Sequence, residues 1–259
     1  MILITERQWS AIVTQELAFA AVRDAFIAAV APGAANFPVV HGHGSDPQNR
    51  FTIKSAAGGE LAGRKVGAYF KMNDARGLPR HASTILLIEQ DTGRIGAVIR
   101  GSAVNCYRIA AADAAATNDL ARPDADVRTL FGTGHQAAYE ALAIACIRKL
   151  SRLLVVGRDL SRTDAFVEWM RSSFLLAEAA AAEAAVRAAD IIVTATTATE
   201  PLFEAEWAVQ ERTSPPWDRT PGANRNSPAI FFRALVSPAV FRNSRCGSAS
   251  SSTRAPRQP

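Results

Sequence analysis

The stretch Asp126-Val-Arg-Thr-Leu-Phe131-Gly132-Thr133-Gly134-His135-Gln136-Ala137 decides the fold. Its first half is a short run of strand-forming residues, and its glycines predict a tight turn into a helix over roughly 135–149. Gly132-x-Gly134-x-x-Ala137 has the form of a dinucleotide fingerprint. The first glycine makes the turn, the second lets the backbone approach a pyrophosphate, and the third, small position lets helix and strand pack closely. Such a match is unspecific alone, since a glycine-rich strand-to-helix turn without a ligand has the same look. Here its surroundings agree with it. A second strand, Arg152-Leu-Leu-Val-Val156, ends at Gly157-Arg158-Asp159; a helix is predicted over 161–173, a mostly helical Ala/Glu-rich stretch runs to Ala189, and Asp190–Ala195 predicts a third strand. That alternation predicts an α/β fold with a parallel sheet, a Rossmann-type half-domain over 123–207. An acid after the second strand suits the ribose 2′-hydroxyl of NAD(H), whereas a cation suits a 2′-phosphate. Arg158 therefore favours NADP(H) over NAD(H), and Asp159 keeps NAD(H) open. The competing account of Arg158 is a solvated loop charge.

Upstream, residues 6–31 predict one amphipathic helix, capped by Thr5 and stopped by Pro32-Gly33. Runs at 51–54, 65–70, 83–88 and 95–99 predict strands, with Asp91-Thr-Gly93 turning the last two into a hairpin. Helix is expected again over 106–121. Residues 1–122 are thus expected to form an α+β domain, the substrate domain that a Rossmann half needs. Its candidates for capturing an anion are Arg50, Lys54, Lys65, Lys71, Arg80 and Arg108. Lys65 and Arg108 flank apolar runs, the placement that a carboxylate-binding pair of cations needs.

The whole chain has 259 residues and a formal charge of +5. Residues 1–207 carry 21 Lys+Arg against 22 Asp+Glu, and residues 208–259 carry 8 Arg against 2 acids. The surplus, the one composition signal for an anionic partner, is therefore confined to the last stretch, which also holds 7 of the 13 prolines. Residues 208–259 read as an aberrant basic tail, expected to be disordered. Cys106, Cys146 and Cys246 lack metal-ligand spacing, so no metal is expected and the setting is reduced and cytoplasmic. No segment reads as a membrane span, and no nucleic-acid or membrane partner is expected.

Several ordered segments carry a resemblance: Gly63-Arg-Lys65-Val with Asn73 beyond it, Gly77-Leu-Pro-Arg-His81-Ala-Ser-Thr84, Thr92-Gly93, Arg108-Ile-Ala-Ala-Ala-Asp113, Gly132-Thr-Gly-His-Gln136-Ala and Ala189-Asp-Ile-Ile-Val-Thr-Ala-Thr196. Together they resemble the ornithine cyclodeaminase/μ-crystallin family over residues 1–207. The resemblance implies a two-domain, usually homodimeric enzyme that uses NAD(P)(H) on a small amino or imino acid, as a cyclodeaminase, ketimine reductase or amino-acid dehydrogenase. It places the substrate carboxylate on Lys65 and Arg108 with help from Arg50, and gives Lys65 a catalytic part in tuning the amine's protonation. The cofactor is expected at Gly132, Thr133, Gly134, His135 and Gln136, at Arg158 and Asp159, and at Thr194, Ala195 and Thr196. His81, Ser83 and Thr84 would lie on the nicotinamide side. The alternative is a non-catalytic, μ-crystallin-like NADP(H)- or small-ligand-binding protein.

Two departures stand out. Ile109 replaces the usual threonine after the motif arginine. After Trp207 the family's Pro-Gly-(Thr/Ala)-His segment, and the catalytic aspartate beyond it, are not readable. A one-base shift through Gln210–Asp218 with G/C-rich codons permits Pro-Gly-Thr-His-Leu-Thr-Ala-Val-Gly. Residues from about Ala208 are therefore expected to be out-of-frame translation, leaving the nucleotide domain incomplete and activity impaired.

Overall fold

The computed structural model describes residues 1–59, 61–172, 176–198 and 200–208, together with the backbone of 229–232. The N-terminal part is built on a seven-stranded sheet: β1 (Ile2–Ile4), β2 (Ala35–Asn36), β3 (Val40–His43), β4 (Arg50–Gly58), β5 (Leu61–Tyr69), β6 (His81–Ile88) and β7 (Ile95–Arg100). The order is β1-β7-β6-β5-β4-β2, with β3 also on β4; β1 runs parallel to β7, and the other pairs are antiparallel. The β6–β7 turn closes with Gly93 at φ 68°, a left-handed conformation that glycine takes without strain.

The single helix expected over 6–31 is two helices, α1 (Glu6–Ser10) and α2 (Gln15–Ala28). Trp9 is buried and donates its indole N–H to the Arg100 carbonyl at 2.6 Å, which holds α1 against the end of β7. Thr14 then caps α2 by accepting from the Leu17 N–H at 3.2 Å. An anchored indole followed by a fresh N-cap outweighs the continuous apolar periodicity. The third helix, α3 (Val104–Leu120), starts after a three-residue link from β7, in which the Ser102 N–H donates to the Glu6 carboxylate at 2.8 Å.

The second sheet holds β8 (Val127–Phe131), β9 (Arg152–Val156), β10 (Ala177–Ala179), β11 (Ile191–Thr194) and β12 (Ala229–Phe232) in the order β10-β9-β8-β11-β12. The first four are parallel, and the helices are α4 (His135–Ile147), α5 (Leu160–Arg171), α6 (Ala182–Ala188) and α7 (Ala205–Ala208). Before the helix α6, the Ala/Glu-rich stretch, expected to be mostly helical, holds a strand at β10. Its neighbours bond to β9 through Leu153 N–H to the Leu176 carbonyl and Ala180 N–H to the Val155 carbonyl. Ladder bonds at an open sheet edge exceed alanine's helix preference, a few tenths of a kcal/mol per residue. Within the expected basic tail, residues 229–232 pair antiparallel with β11. The rest of the tail, and Cys246, lie outside the described residues.

Leu130, Ile144, Leu153, Val155, Met170, Ile191 and Val193 form the core between this sheet and its helices. Ala110 and Ala114 of α3 join the same cluster as Ala137 and Ala141 of α4. Thus α3 serves both halves of the molecule. Among the described residues, no helix is long and apolar enough to cross a membrane.

Candidate functional site

The sheet order places β8 and β11 side by side although β9 and β10 come between them in the chain, so strand order reverses there. A crevice at the carboxyl ends of such strands is where ligands of open α/β sheets bind. Gly132 follows β8 at φ 110°, and a Cβ there would lie 2.5 Å from the Ala195 carbonyl oxygen. Both its conformation and its neighbour therefore require glycine. Ala195 in turn donates its N–H to the Phe131 carbonyl at 2.8 Å, fixing the far wall. Gly134 is the N-cap of α4 and makes no side-chain cap; an added Cβ would meet nothing within 4 Å. The start of a 13-residue helix, with unsatisfied N–H groups and a favourable dipole, thus faces open space. The arrangement fits the pyrophosphate of a dinucleotide.

At the end of β9, Gly157 abuts the Thr163 side chain so closely that only glycine fits. Asp159 caps α5, accepting from the Arg162 N–H at 3.1 Å, while Arg158 is exposed. Thr133 reaches the Gly157 backbone, and Thr194, Ala195 and Thr196 stand opposite at the end of β11. Thr196 accepts from the Ala198 N–H at 3.2 Å. Two of the expected cofactor residues face the N-terminal half. Gln136 donates to the Cys106 carbonyl at 3.3 Å and to Glu140 at 2.8 Å, and His135 Nδ1 lies 3.6 Å from Cys106 Sγ. These contacts lay the first turn of α4 beside the first turn of α3.

The expected carboxylate pair is next to that junction. Lys65 Nζ donates to Asn105 Oδ1 at 2.6 Å, and Arg108 Nη2 donates to the same oxygen at 3.2 Å. Two cations therefore share one neutral acceptor. Burial, Arg108 and Lys54 together push the Lys65 pKa down to about 8. Crowding by neighbouring protein also lowers the Arg108 pKa, although the side chain remains open to solvent. Asn105 was absent from the sequence-based candidates. Its position three residues before Arg108, on the same helix face, was the available signal.

Strand register distributes the rest. Arg50 is exposed and stands opposite Tyr69, which stands opposite His81; their rings, Tyr69 and His81, are 4.8 Å apart. Burial first, then Arg80 and Lys65, lower the His81 pKa. Ser83, opposite Gly67, shares the face of Lys65, but its hydroxyl donates to the Gly101 carbonyl at 2.8 Å. Thr84, opposite Val66, projects from the other face, because side chains alternate along a strand. Structure thus joins His81 and Ser83 to the Lys65 face and leaves Thr84 off it. Of the other candidate cations, Arg80 is ion-paired with Asp74 and Lys71 is exposed.

A buried cluster went unread in the sequence. Arg128 and Glu140 are fully buried, and Arg128 Nη1 donates to the Glu140 carbonyl at 2.6 Å. Asp113 of α3 lies against Glu140; burial and that neighbour raise its pKa, and burial raises that of Glu140. The two carboxyls are suited to holding one proton between them beside the guanidinium. The cluster underlies the α3–α4 junction.

The sequence model of the "Ornithine cyclodeaminase/mu-crystallin family" matches residues 6–211. The iminosuccinate reductase of Paracoccus denitrificans (strain Pd 1222) is 30% identical over 209 residues, 80% of this chain and 65% of that protein. The chain thus spans a little under two thirds of that relative. A structure of the iminosuccinate reductase of Paracoccus denitrificans in complex with NAD+ superposes with TM-score 0.72 at 29% identity, covering 78% of this chain and 63% of that one. An archaeal alanine dehydrogenase dimer with bound NAD shares the fold, with TM-score 0.76 at 24% identity over 81% of this chain and 64% of its own. With the motif segments in order and the glycine turn and paired cations placed together, the chain belongs to the ornithine cyclodeaminase/mu-crystallin family.

Proposed function

We propose that this chain binds a pyridine nucleotide, NADP(H) in preference to NAD(H), and exchanges hydride at the α-carbon of a small amino or imino acid, as a cytoplasmic homodimer. The observation that carries the reading is the sharing of Asn105 Oδ1 by Lys65 and Arg108, on the helix whose first turn touches the glycine turn of α4. Two cations with only a neutral acceptor between them suit a carboxylate, which arginine engages with two parallel hydrogen bonds. In the reductive direction an imine, NAD(P)H and a proton give an amine and NAD(P)+. The nucleotide supplies the hydride. With its pKa near 8, Lys65 populates both protonation states in neutral to mildly alkaline solution, so Nζ can hold the carboxylate as an ammonium or lend a proton nearby.

Engagement of Asp159 in capping α5 leaves Arg158 as the free charge at the end of β9, which supports the NADP(H) preference. Apolar side chains exposed on α2, among them Phe26 and Ile27, support the homodimer. The free thiols of Cys106 and Cys146 accord with a reducing compartment. Because the family's Pro-Gly-(Thr/Ala)-His segment and the aspartate beyond it are not readable after Trp207, we propose that turnover is impaired; binding without turnover is the second reading. Titration with NADPH and NADH by fluorescence, followed by a turnover screen of imino and amino acids, separates the two. Absence of any nucleotide signal refutes both.

A further inference from the structure

We infer that the substrate is dianionic, and that Lys54 receives its second carboxylate. This rests on the carboxylate-binding reading of Lys65 and Arg108 and extends it. Lys54 stands directly opposite Lys65 on neighbouring antiparallel strands, so both project from one face of the sheet. Like charges in directly opposed positions repel, and nothing in the fold requires a cation at an exposed strand position. Arg50 lies on the same face, two pairs further along β4.

None of Arg50, Lys54, Lys65 and Arg108 takes part in an ion pair among the described residues. Arg80, Arg122, Arg152, Arg171 and Arg187 all do. Four positive charges therefore gather about this face with no carboxylate paired to them among the described residues. One carboxylate is fully served by Lys65 and Arg108, which already converge on a single oxygen. Lys54 and Arg50 exceed that need. Between them Gly67 has no side chain, and a Cβ there would come within 3.3 Å of Thr52 Oγ1 and 3.9 Å of Lys65 Cε, so the Thr52 hydroxyl and the Lys65 stem cover this position. The Thr52 hydroxyl thus stands between Arg50 and Lys54 on this face, beside the Lys65 stem, and a short carbon chain joining two carboxylates would run along it. A four-carbon imino or amino dicarboxylic acid has this chemistry.

The test uses the full chain with saturating NADP+, and titrates in two unreactive anions of equal chain length, succinate and butyrate, by calorimetry. Succinate is expected to bind at least ~10-fold more tightly, the gain of one additional charge-assisted contact. Lys54→Gln should remove most of that advantage while leaving butyrate within about two-fold, and Lys54→Arg should keep it. Thermal melts of both variants establish that they fold. Equal affinity for the two anions overturns the inference while the single-carboxylate reading stands. A succinate advantage that survives in Lys54→Gln overturns the role of Lys54. Failure of both anions to bind refutes the carboxylate site itself and the inference with it.

Discussion

Gly134 and Gly132 sit two residues apart, and substituting alanine at each should produce opposite phenotypes. At Gly134 the backbone is extended (φ −87°, ψ 179°), which alanine adopts freely, and its Cβ would meet nothing within 4 Å. The cost to folding is confined to a poorer N-cap, about 0.5–1 kcal/mol. For a domain of this size that lowers Tm by roughly 1–4 °C. The new methyl, however, fills the space above the first turn of α4, where a pyrophosphate must come within hydrogen-bonding distance of backbone N–H groups. Loss of two such charge-assisted bonds, about 1.5–3 kcal/mol each, weakens nucleotide binding by at least ~100-fold. At Gly132 the methyl meets the Ala195 carbonyl at 2.5 Å in a left-handed backbone. That change costs about 2–4 kcal/mol and lowers Tm by on the order of 5–15 °C. Paired fluorescence titrations with NADPH and calorimetric melts give both quantities. A Gly134→Ala protein that binds NADPH within about three-fold of the parent would refute the placement of the pyrophosphate, whatever its Tm.

Carboxylate affinity should fall as pH rises through about 8, because Lys65 loses its proton there, and binding above that pH should take up a proton; a flat profile between pH 7 and 10 would contradict the assignment. The same depressed pKa stabilises the free fold only above the ordinary lysine pKa. That stability is lost as pH falls through about 8, so Lys65→Met should stabilise the empty protein more at pH 7 than at pH 10, as read by denaturant melts. Arg158→Ala should weaken NADPH about 10- to 100-fold and leave NADH nearly unchanged, and equal losses for both would remove Arg158 from the 2′ position. Ile144→Ala, which empties a fully buried site between β8 and α4, should cost about 2–5 kcal/mol in urea unfolding.

Much of the nucleotide half was legible because its signals are local. A strand, a glycine turn and a helix occupy consecutive residues, and Arg152–Val156 has the same bounds in sequence and structure. β1 and β10 were not legible, since each is three residues long and owes its existence to a distant partner, β7 or β9. The break between α1 and α2 depends on a bond from Trp9 to Arg100, far along the chain. In the site, Lys65 and Arg108 could be named from their apolar flanks, whereas the opposition of Lys54 and Lys65 needs the hairpin register. Asp113, Arg128 and Glu140 come from three separate elements, so nothing short-range announces that they are buried together.

The alanines between α3 and α4 act as a ruler. Arg108 and Asn105 ride on one helix and the glycine turn opens the other, so the gap between the paired cations and the glycine turn is set by how closely these helix backbones approach. Ala110, Ala114, Ala137 and Ala141 are each completely enclosed. Every methylene added there must push the helices apart, because close-packed interiors have no slack to absorb it. The spacing between the glycine turn and the paired cations is thus encoded in side chains that belong to neither group, and the smallest residues in the core are the ones that set it.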